Sequence, residues 1–341
     1  MKGSRVVAGA AAAVVITGIG VAAIATLWTH SKAEPALPDL LRALPAQTRL
    51  VAHLDVVDFR KSPLYDRMRS SFATESLPNS LREALDHSGI NLATDIDDLF
   101  VAWVPTQDVQ ASGLALIRGG SSLAGIDAHL NAAATSGKIE KVDVAGISAY
   151  RARGELDTLL APLDDGSWLI GTPEVTQSTL EARSRGGDEL SSHVELSAAL
   201  ERVPADGTFW LAGDSSWLDA LTGSESALGG LGLQLPPIES IVASAELSPD
   251  VALEISATAL DEAGARQLAD KARGVMALVS LQKYRVPELG DAASAATITT
   301  DGRRVQISLR VRYALIDNLL AQLGQSWMGQ ADAAGKVDKS R

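Results

Sequence analysis

Residue types able to do chemistry are sparse along these 341 residues. The histidines are His30, His53, His87, His129 and His193, and no two share the spacing of ligands on a helix turn or hairpin. Cysteine is absent, which removes a thiolate zinc site, a disulfide framework, a cysteine nucleophile and an acylated lipoprotein cysteine. The chain has no G-x-S-x-G elbow, H-E-x-x-H helix, P-loop or dinucleotide fingerprint. His53 alternates with Val51 on a strand pattern and reads as a structural histidine. Ser121-Ser122 and Ser215-Ser216 stand at helix starts, where serine caps. Asp95, Asp97 and Asp98 offer carboxylates for calcium but lack the glycine and terminal glutamate of a calcium loop. They read as a solvated strand edge that discourages pairing. Asp164-Asp165-Gly166 reads as a turn. The expectation is a non-enzymatic protein with no cofactor and no metal.

Two features read as interaction surfaces. Ala227–Pro237 is apolar yet rich in Gly and Pro, so it cannot form a regular core element. Its Leu228, Leu231, Leu233 and Leu235 suit contact with a partner, or fold back as a lid on the core. The second is a basic stripe of Arg304, Arg310 and Arg312, with Arg303 beside it, in an acidic chain. It either meets an acidic partner or is satisfied by neighbouring carboxylates. Lys+Arg total 30 against 42 Asp+Glu, a net charge of −12, the wrong sign for a nucleic-acid binder.

The elements that carry these residues begin with a membrane segment. Lys2 and Arg5 precede Val6–Trp28, an uncharged run that includes Ile16 and Ile24 and ends on Trp28. About 20 apolar residues cross a hydrocarbon core, and an aromatic ring settles at its interface. Positive charge before the span places the N-terminus in the cytoplasm and the bulk of the chain outside a bacterial inner membrane, in the periplasm. The competing reading is a signal peptide cut before Glu34, but signal cores are shorter, about 7–15 residues. Residues 30–38 form a polar stalk with Pro35 and Pro38, and 330–341 a flexible tail.

Between them lies an internal duplication, 39–190 and 191–329. Leu41–Asp55 aligns with Leu200–Asp214 at an offset of 159, Ile96–Ala102 with Ile238–Ser244 at 142, and Asp165-Gly166 with Asp301-Gly302 at 136. Three collinear matches with shrinking offsets indicate a repeat. In the first copy, strands are predicted near 49–55, 99–104, 113–118, 138–142, 147–151 and 168–171, with helices near 64–72, 77–87, 123–135 and 173–185. In the second, strands fall near 208–213, 238–247, 252–258, 295–299 and 303–311. Val305, Ile307, Leu309 and Val311 alternate there with polar residues. Asp261 caps a helix whose stripe is Leu268, Ala272, Val275, Met276 and Val279. The fold class predicted is α+β: a transmembrane helix (1–29 with its cytoplasmic tip), then two tandem antiparallel-sheet domains, each with helices on one face.

Ser62-Pro63-Leu64, Asp95-x-Asp97, Gly146-x-x-x-Tyr150 and Leu163-Asp-Asp-Gly-x-x-Leu-Ile-Gly-Thr-Pro173 resemble a loose group of uncharacterised exported or single-pass bacterial proteins with a duplicated α+β domain. The resemblance covers 41–185 and implies no catalytic residue. The expected function is a membrane-anchored extracytoplasmic protein acting by protein–protein contact, an accessory subunit of a larger inner-membrane assembly. The alternative is a periplasmic binding module for a lipid or small hydrophobic ligand.

Overall fold

The computed structural model describes residues 39–68, 94–105, 112–119, 126–153, 157–204, 207–217, 236–247, 250–284 and 287–317. The predicted span with Val6, Ile16, Ile24 and Trp28, the stalk, the helix predicted over 77–87 and the tail lie outside them. Among the described residues no helix is long and apolar enough to cross a membrane.

The first half runs α1 (Asp39–Arg42), β1 (Leu50–Asp55), α2 (Val56–Lys61), α3 (Pro63–Met68), β2 (Asp98–Val104), β3 (Ser112–Arg118), α4 (Ile126–Thr135), β4 (Glu140–Val144), β5 (Ile147–Ala152), β6 (Thr158–Pro162), β7 (Trp168–Gly171) and α5 (Pro173–Ser184). A short 3-10 turn, Leu190–Ser192, leads into α6 (Val194–Leu200). The second half follows with β8 (Phe209–Asp214), β9 (Ile238–Glu246), β10 (Val251–Ala259), α7 (Glu262–Ser280), α8 (Pro287–Ser294), β11 (Thr297–Asp301) and β12 (Arg304–Val311).

All these strands join one antiparallel sheet of twelve, in the order β11-β12-β10-β9-β8-β1-β2-β3-β7-β6-β5-β4. The two halves therefore do not carry separate sheets, as tandem domains would. They meet where β1 pairs with β8. On either side of that seam the order of strands is the same: β1-β2-β3-β7-β6 one way and β8-β9-β10-β12-β11 the other. Only the first half extends further, by the hairpin β4–β5. The register repeats as well. Ala52, aligned with Leu211, lies directly opposite Leu211. Leu50 faces Trp103, and their aligned counterparts Phe209 and Ala245 face each other.

Helices cover both faces of the sheet rather than one. The reason is in the central strands: β8 is buried at all six positions, so apolar side chains of both parities need cover. One face carries Val51, Phe100, Leu114, Leu116, Trp210, Ala212 and Val242, packed under α1, α5 and α6 through Leu41, Leu180 and Leu196. The opposite face has three patches. Leu160 and Trp168 lie under α4, Phe209, Leu211 and Ala245 under α2 and α3, and Ala257 and Val305 under α7.

Local rules explain the elements that position these layers. Asp261 Oδ1 accepts from Gly264 N at 2.6 Å and starts α7 as expected. Leu268 is buried on that helix, while Ala272, Val275, Met276 and Val279 are only half-buried, because the sheet stops short of the helix's far end. Tyr150 of the Gly-x-x-x-Tyr motif is fully buried and donates to Asp127 Oδ1 at 2.6 Å, tying β5 to α4. Gly213 leaves room for the Trp217 indole, which a Cβ there would strike. The β4–β5 turn places Ala145 at φ 54° and Gly146 at φ 81°. A two-residue hairpin turn of this hand favours Asn-Gly, and a left-handed alanine costs roughly 1–2 kcal/mol. Ala145→Asn is therefore expected to stabilise the fold by about 1 kcal/mol. Gly213→Ala is expected to cost about 1–3 kcal/mol by overpacking. Urea denaturation of the two variants checks both signs.

Candidate functional site

Two clusters of ionisable groups sit at opposite ends of the central strands, both on the face covered by α1, α5 and α6. At the end where β1 begins, Asp214 closes β8. Its Oδ2 accepts from Arg49 at 2.8 Å and from His193 Nε2 at 3.0 Å. Its Oδ1 accepts from Ser216 N at 2.8 Å and Ser216 Oγ at 2.6 Å. His193 Nδ1 accepts from Leu196 N at 3.2 Å, so the imidazole is the cap of α6. His193 Nε2 also lies 2.8 Å from Arg49 Nη1, so the imidazole, the guanidinium and the carboxylate form one contact cluster. Every Asp214 oxygen and both ring nitrogens are thus committed to holding α6 and the β8 terminus. Chain order alone hid this cluster, because His193 and Asp214 belong to different elements and Arg49 lies in the other half. Asp214 Oδ1 thus holds Ser216 where a helix start was expected; the residues after Trp217 lie outside the described ones.

At the other end, His53 is buried, stacked on Phe100 with centroids 4.3 Å apart, and joined to Asp98 by Nε2–Oδ1 at 3.0 Å. Its Nδ1 is buried with no hydrogen-bond partner among the described residues. Asp98 belongs to β2, which lies between β1 and β3. The reading of Asp95, Asp97 and Asp98 as a strand edge is corrected accordingly: β2 is an interior strand, Asp98 serves His53, and Asp97 N and O are spent on Arg118 and Val56. Asp55, at the position aligned with Asp214, caps α2 by accepting from Asp58 N at 2.8 Å.

The two aligned aspartates are tuned in opposite directions. Burial pushes the Asp55 carboxyl up, aided by the Asp58 and Asp98 carboxylates, and the Asp58 N–H only partly offsets it. Burial pushes Asp214 up too, but the Ser216 hydroxyl and N–H and the Arg49 guanidinium outweigh it and hold the group below its ordinary value.

The predicted interaction residues fall as follows. Arg304 and Arg310 are exposed on β12, side by side with Gln306 and Ser308, and Arg312 is exposed just past its end. Arg303 alone is satisfied by a neighbouring carboxylate, Glu239, at 2.6 Å. Leu228, Leu231, Leu233 and Leu235 lie outside the described residues, as do Ser121-Ser122. The structure adds what surrounds the arginines. By cross-strand register, Arg304 stands opposite Thr258 and Asp301, Arg310 opposite Ala252, and Glu254 opposite Ser308. These side chains share the face that α5 covers over β3 and β7 and α6 covers over β8 and β9, yet over β10, β12 and β11 Glu254, Arg304, Gln306 and Arg310 are exposed. Among the described residues no group of three or more His, Asp and Glu is arranged to hold a metal ion.

Comparison with protein-family models, curated proteins and solved structures gives no match for this chain. The class that the structure itself defines is an α+β protein on a large antiparallel sheet.

The tuned aspartates set acid behaviour. Asp214, lowered in the folded state, contributes stability that is complete above about pH 3.9 and is lost as pH falls through its folded value. Asp55, raised, has the opposite sign: its charged form opposes folding, and that cost fades as pH falls through its folded value. Asp214→Asn is expected to cost about 2 kcal/mol at pH 7, since it removes charge-assisted bonds to buried partners. Asp55→Asn keeps the cap acceptor and is expected to be neutral or stabilising. Denaturation of both variants at pH 7 and pH 4 checks the contrast.

Proposed function

We propose that this chain is a non-enzymatic extracytoplasmic protein, anchored in a bacterial inner membrane by its N-terminal segment and acting through protein–protein contacts as an accessory subunit of a larger, energy-transducing assembly. We further propose that its two halves, 39–190 and 191–329, are copies of one unit. The matching strand order and register on either side of the β1–β8 seam support that second statement.

One observation carries the contact reading. Half of one sheet face is roofed by helices, whereas β10, β12 and β11 present an unroofed polar face with Glu254, Arg304, Gln306 and Arg310 exposed. Arginine is enriched at protein interfaces, where direct hydrogen bonds run at about one per 100–200 Å². The committed state of His193 and His53 points the same way. His193 bonds through both ring nitrogens and His53 through Nε2.

The test is affinity purification of the full chain from native membranes in mild detergent, followed by native gel and mass spectrometry. A stoichiometric partner is expected, lost on simultaneous Arg304→Glu and Arg310→Glu substitution. Recovery as a lone species of the chain's own mass would overturn the subunit reading and favour a binding module. Topology reporters fused within Leu37–Arg341 are expected to read out as extracytoplasmic; a cytoplasmic readout would sink the anchor assignment.

A further inference from the structure

Arg202, just beyond α6, is half-buried against the same sheet face, and no carboxylate among the described residues lies within 4.0 Å of it. Its Nε donates to Ala198 O at 2.7 Å, Nη1 to Thr258 Oγ1 at 2.6 Å and Nη2 to Ser240 Oγ at 2.8 Å. A part-buried guanidinium is ordinarily paired with an anion, because removing charge from water is costly. Here all three acceptors are neutral. Arg304 stands directly opposite Thr258 across the β10–β12 pair, on the same face.

The surrounding carboxylates do not fill the gap. Glu239 is held by Arg303 at 2.6 Å. Glu201 and Asp301 are exposed, and neither lies within 4.0 Å of Arg202 or Arg304. Burial, then the nearby Arg304 and Arg303, make the Arg202 guanidinium easier to deprotonate than usual, with Glu239 and Glu201 opposing.

The hydrogen-bond inventory points the same way. A guanidinium has five N–H donors, of which Arg202 commits three to the acceptors named. Ser240 and Thr258 are both more than nine-tenths buried, and each accepts from Arg202 while its own O–H proton has no acceptor among the described residues. Arg304 has no hydrogen-bond or ion-pair partner among the described residues. The result is a group of donors with no acceptor of its own. The recognition chemistry that such a group matches is an oxyanion with several acceptor oxygens and more than one negative charge. A phosphate monoester, with three terminal oxygens and a charge of about −1.5 to −2 at neutral pH, fits both counts; a lone carboxylate meets only part of each.

From this geometry we infer that Arg202, Arg304, Ser240 and Thr258 form a binding site for a phosphate group with at least three free oxygens, either inorganic phosphate or the monoester headgroup of a phosphatidate-type lipid. The inference stands independently of the contact reading above, since it needs neither a protein partner nor a membrane anchor.

The experiment is calorimetric titration of the full chain in mild detergent with sodium phosphate, against sodium chloride at matched ionic strength. Saturable one-to-one binding of phosphate is expected, with none of chloride. Arg304→Gln, at an exposed position that leaves folding intact, is expected to weaken it about tenfold or more, as loss of a charge-assisted bond implies. Arg310→Gln, on the same strand and face but opposite Ala252, is expected to leave it within about twofold. Ser240→Ala is expected to weaken it with the far-ultraviolet circular dichroism unchanged. A parallel titration with a short-chain phosphatidate separates the sources: tighter binding than phosphate assigns a lipid headgroup, and equal binding assigns free phosphate. The site is overturned if neither compound binds saturably, or if Arg310→Gln weakens binding as much as Arg304→Gln, which would mark a diffuse field in place of a site.

Discussion

The pairing of β1 with β8 is the constraint on which the rest of the molecule depends. Neither half closes its own sheet at that edge. β8 is buried at every position, so it must have an apolar layer on both faces and a strand on both sides. β1 meets the second requirement from the other half. The hydrophobic layer runs unbroken across the seam, from Phe100 and Val51 to Trp210 and Val242. Because Ala52 lies opposite Leu211, the seam is centred on residues that align with each other, and each half meets the other with the same strand in the opposite direction. An antiparallel pair of like strands is the arrangement in which one surface can complement itself. A one-residue slip of β8 would send Trp210 to the opposite face and bring Leu211 in its place.

The ionic groups at the two ends of the seam show how aligned positions diverge within a common frame. Asp55 and Asp214 each end the first strand of their half and each hold the turn that follows. Their surroundings decide their electrostatics. Asp214 gained Arg49 from β1's approach and His193 from the start of α6, and its charge is satisfied on all sides. Asp55 faces Asp58 and Asp98 instead, and its charge is opposed. The Arg49 contact, made possible by the seam, turns one carboxylate into a clasp between the halves, while the other has carboxylate neighbours.

Asymmetry also decides which surface remains available. On one face α5 covers β3, β6 and β7 of the first half through Leu180, and α6 covers β8 and β9 of the second through Leu196 and Leu200. On the second half the chain that follows β12 turns to the opposite face, where Tyr313 and Ile316 pack with Phe209 and Leu211. Arg304, Gln306 and Arg310 are therefore exposed. The polar alternation of β12 is consistent with this outcome: a strand whose second face was meant for a helix would carry apolar residues there, as β3 does with Leu114 and Leu116.

Much of the fold was legible from pattern alone. The alternation of Val305 to Val311 located β12, Asp261 located the start of α7, and Leu41–Asp55 against Leu200–Asp214 located the strands that meet at the seam. These signals are local, set by side-chain period and capping chemistry within a few residues. Strand β6 was missed, because Thr158-Leu-Leu-Ala-Pro162 has no alternation and is buried on both sides. Short helices such as α2 and α6 were missed because they take their stability from packing and a single cap instead of a long periodic stripe. For the sites, the exposed arginines of β12 were readable as a charge concentration on a polar strand face. Arg202 was not, and neither was the Arg49–Asp214–His193 cluster, since each joins residues from different elements. The sequence by itself determined which segments would be strands and which faces of them were apolar, because those follow from local period and propensity. Only the tertiary structure decided that two similar halves share one sheet and which charges meet across it, because strand partners and long-range ion pairs are selected by packing energies summed over the whole molecule.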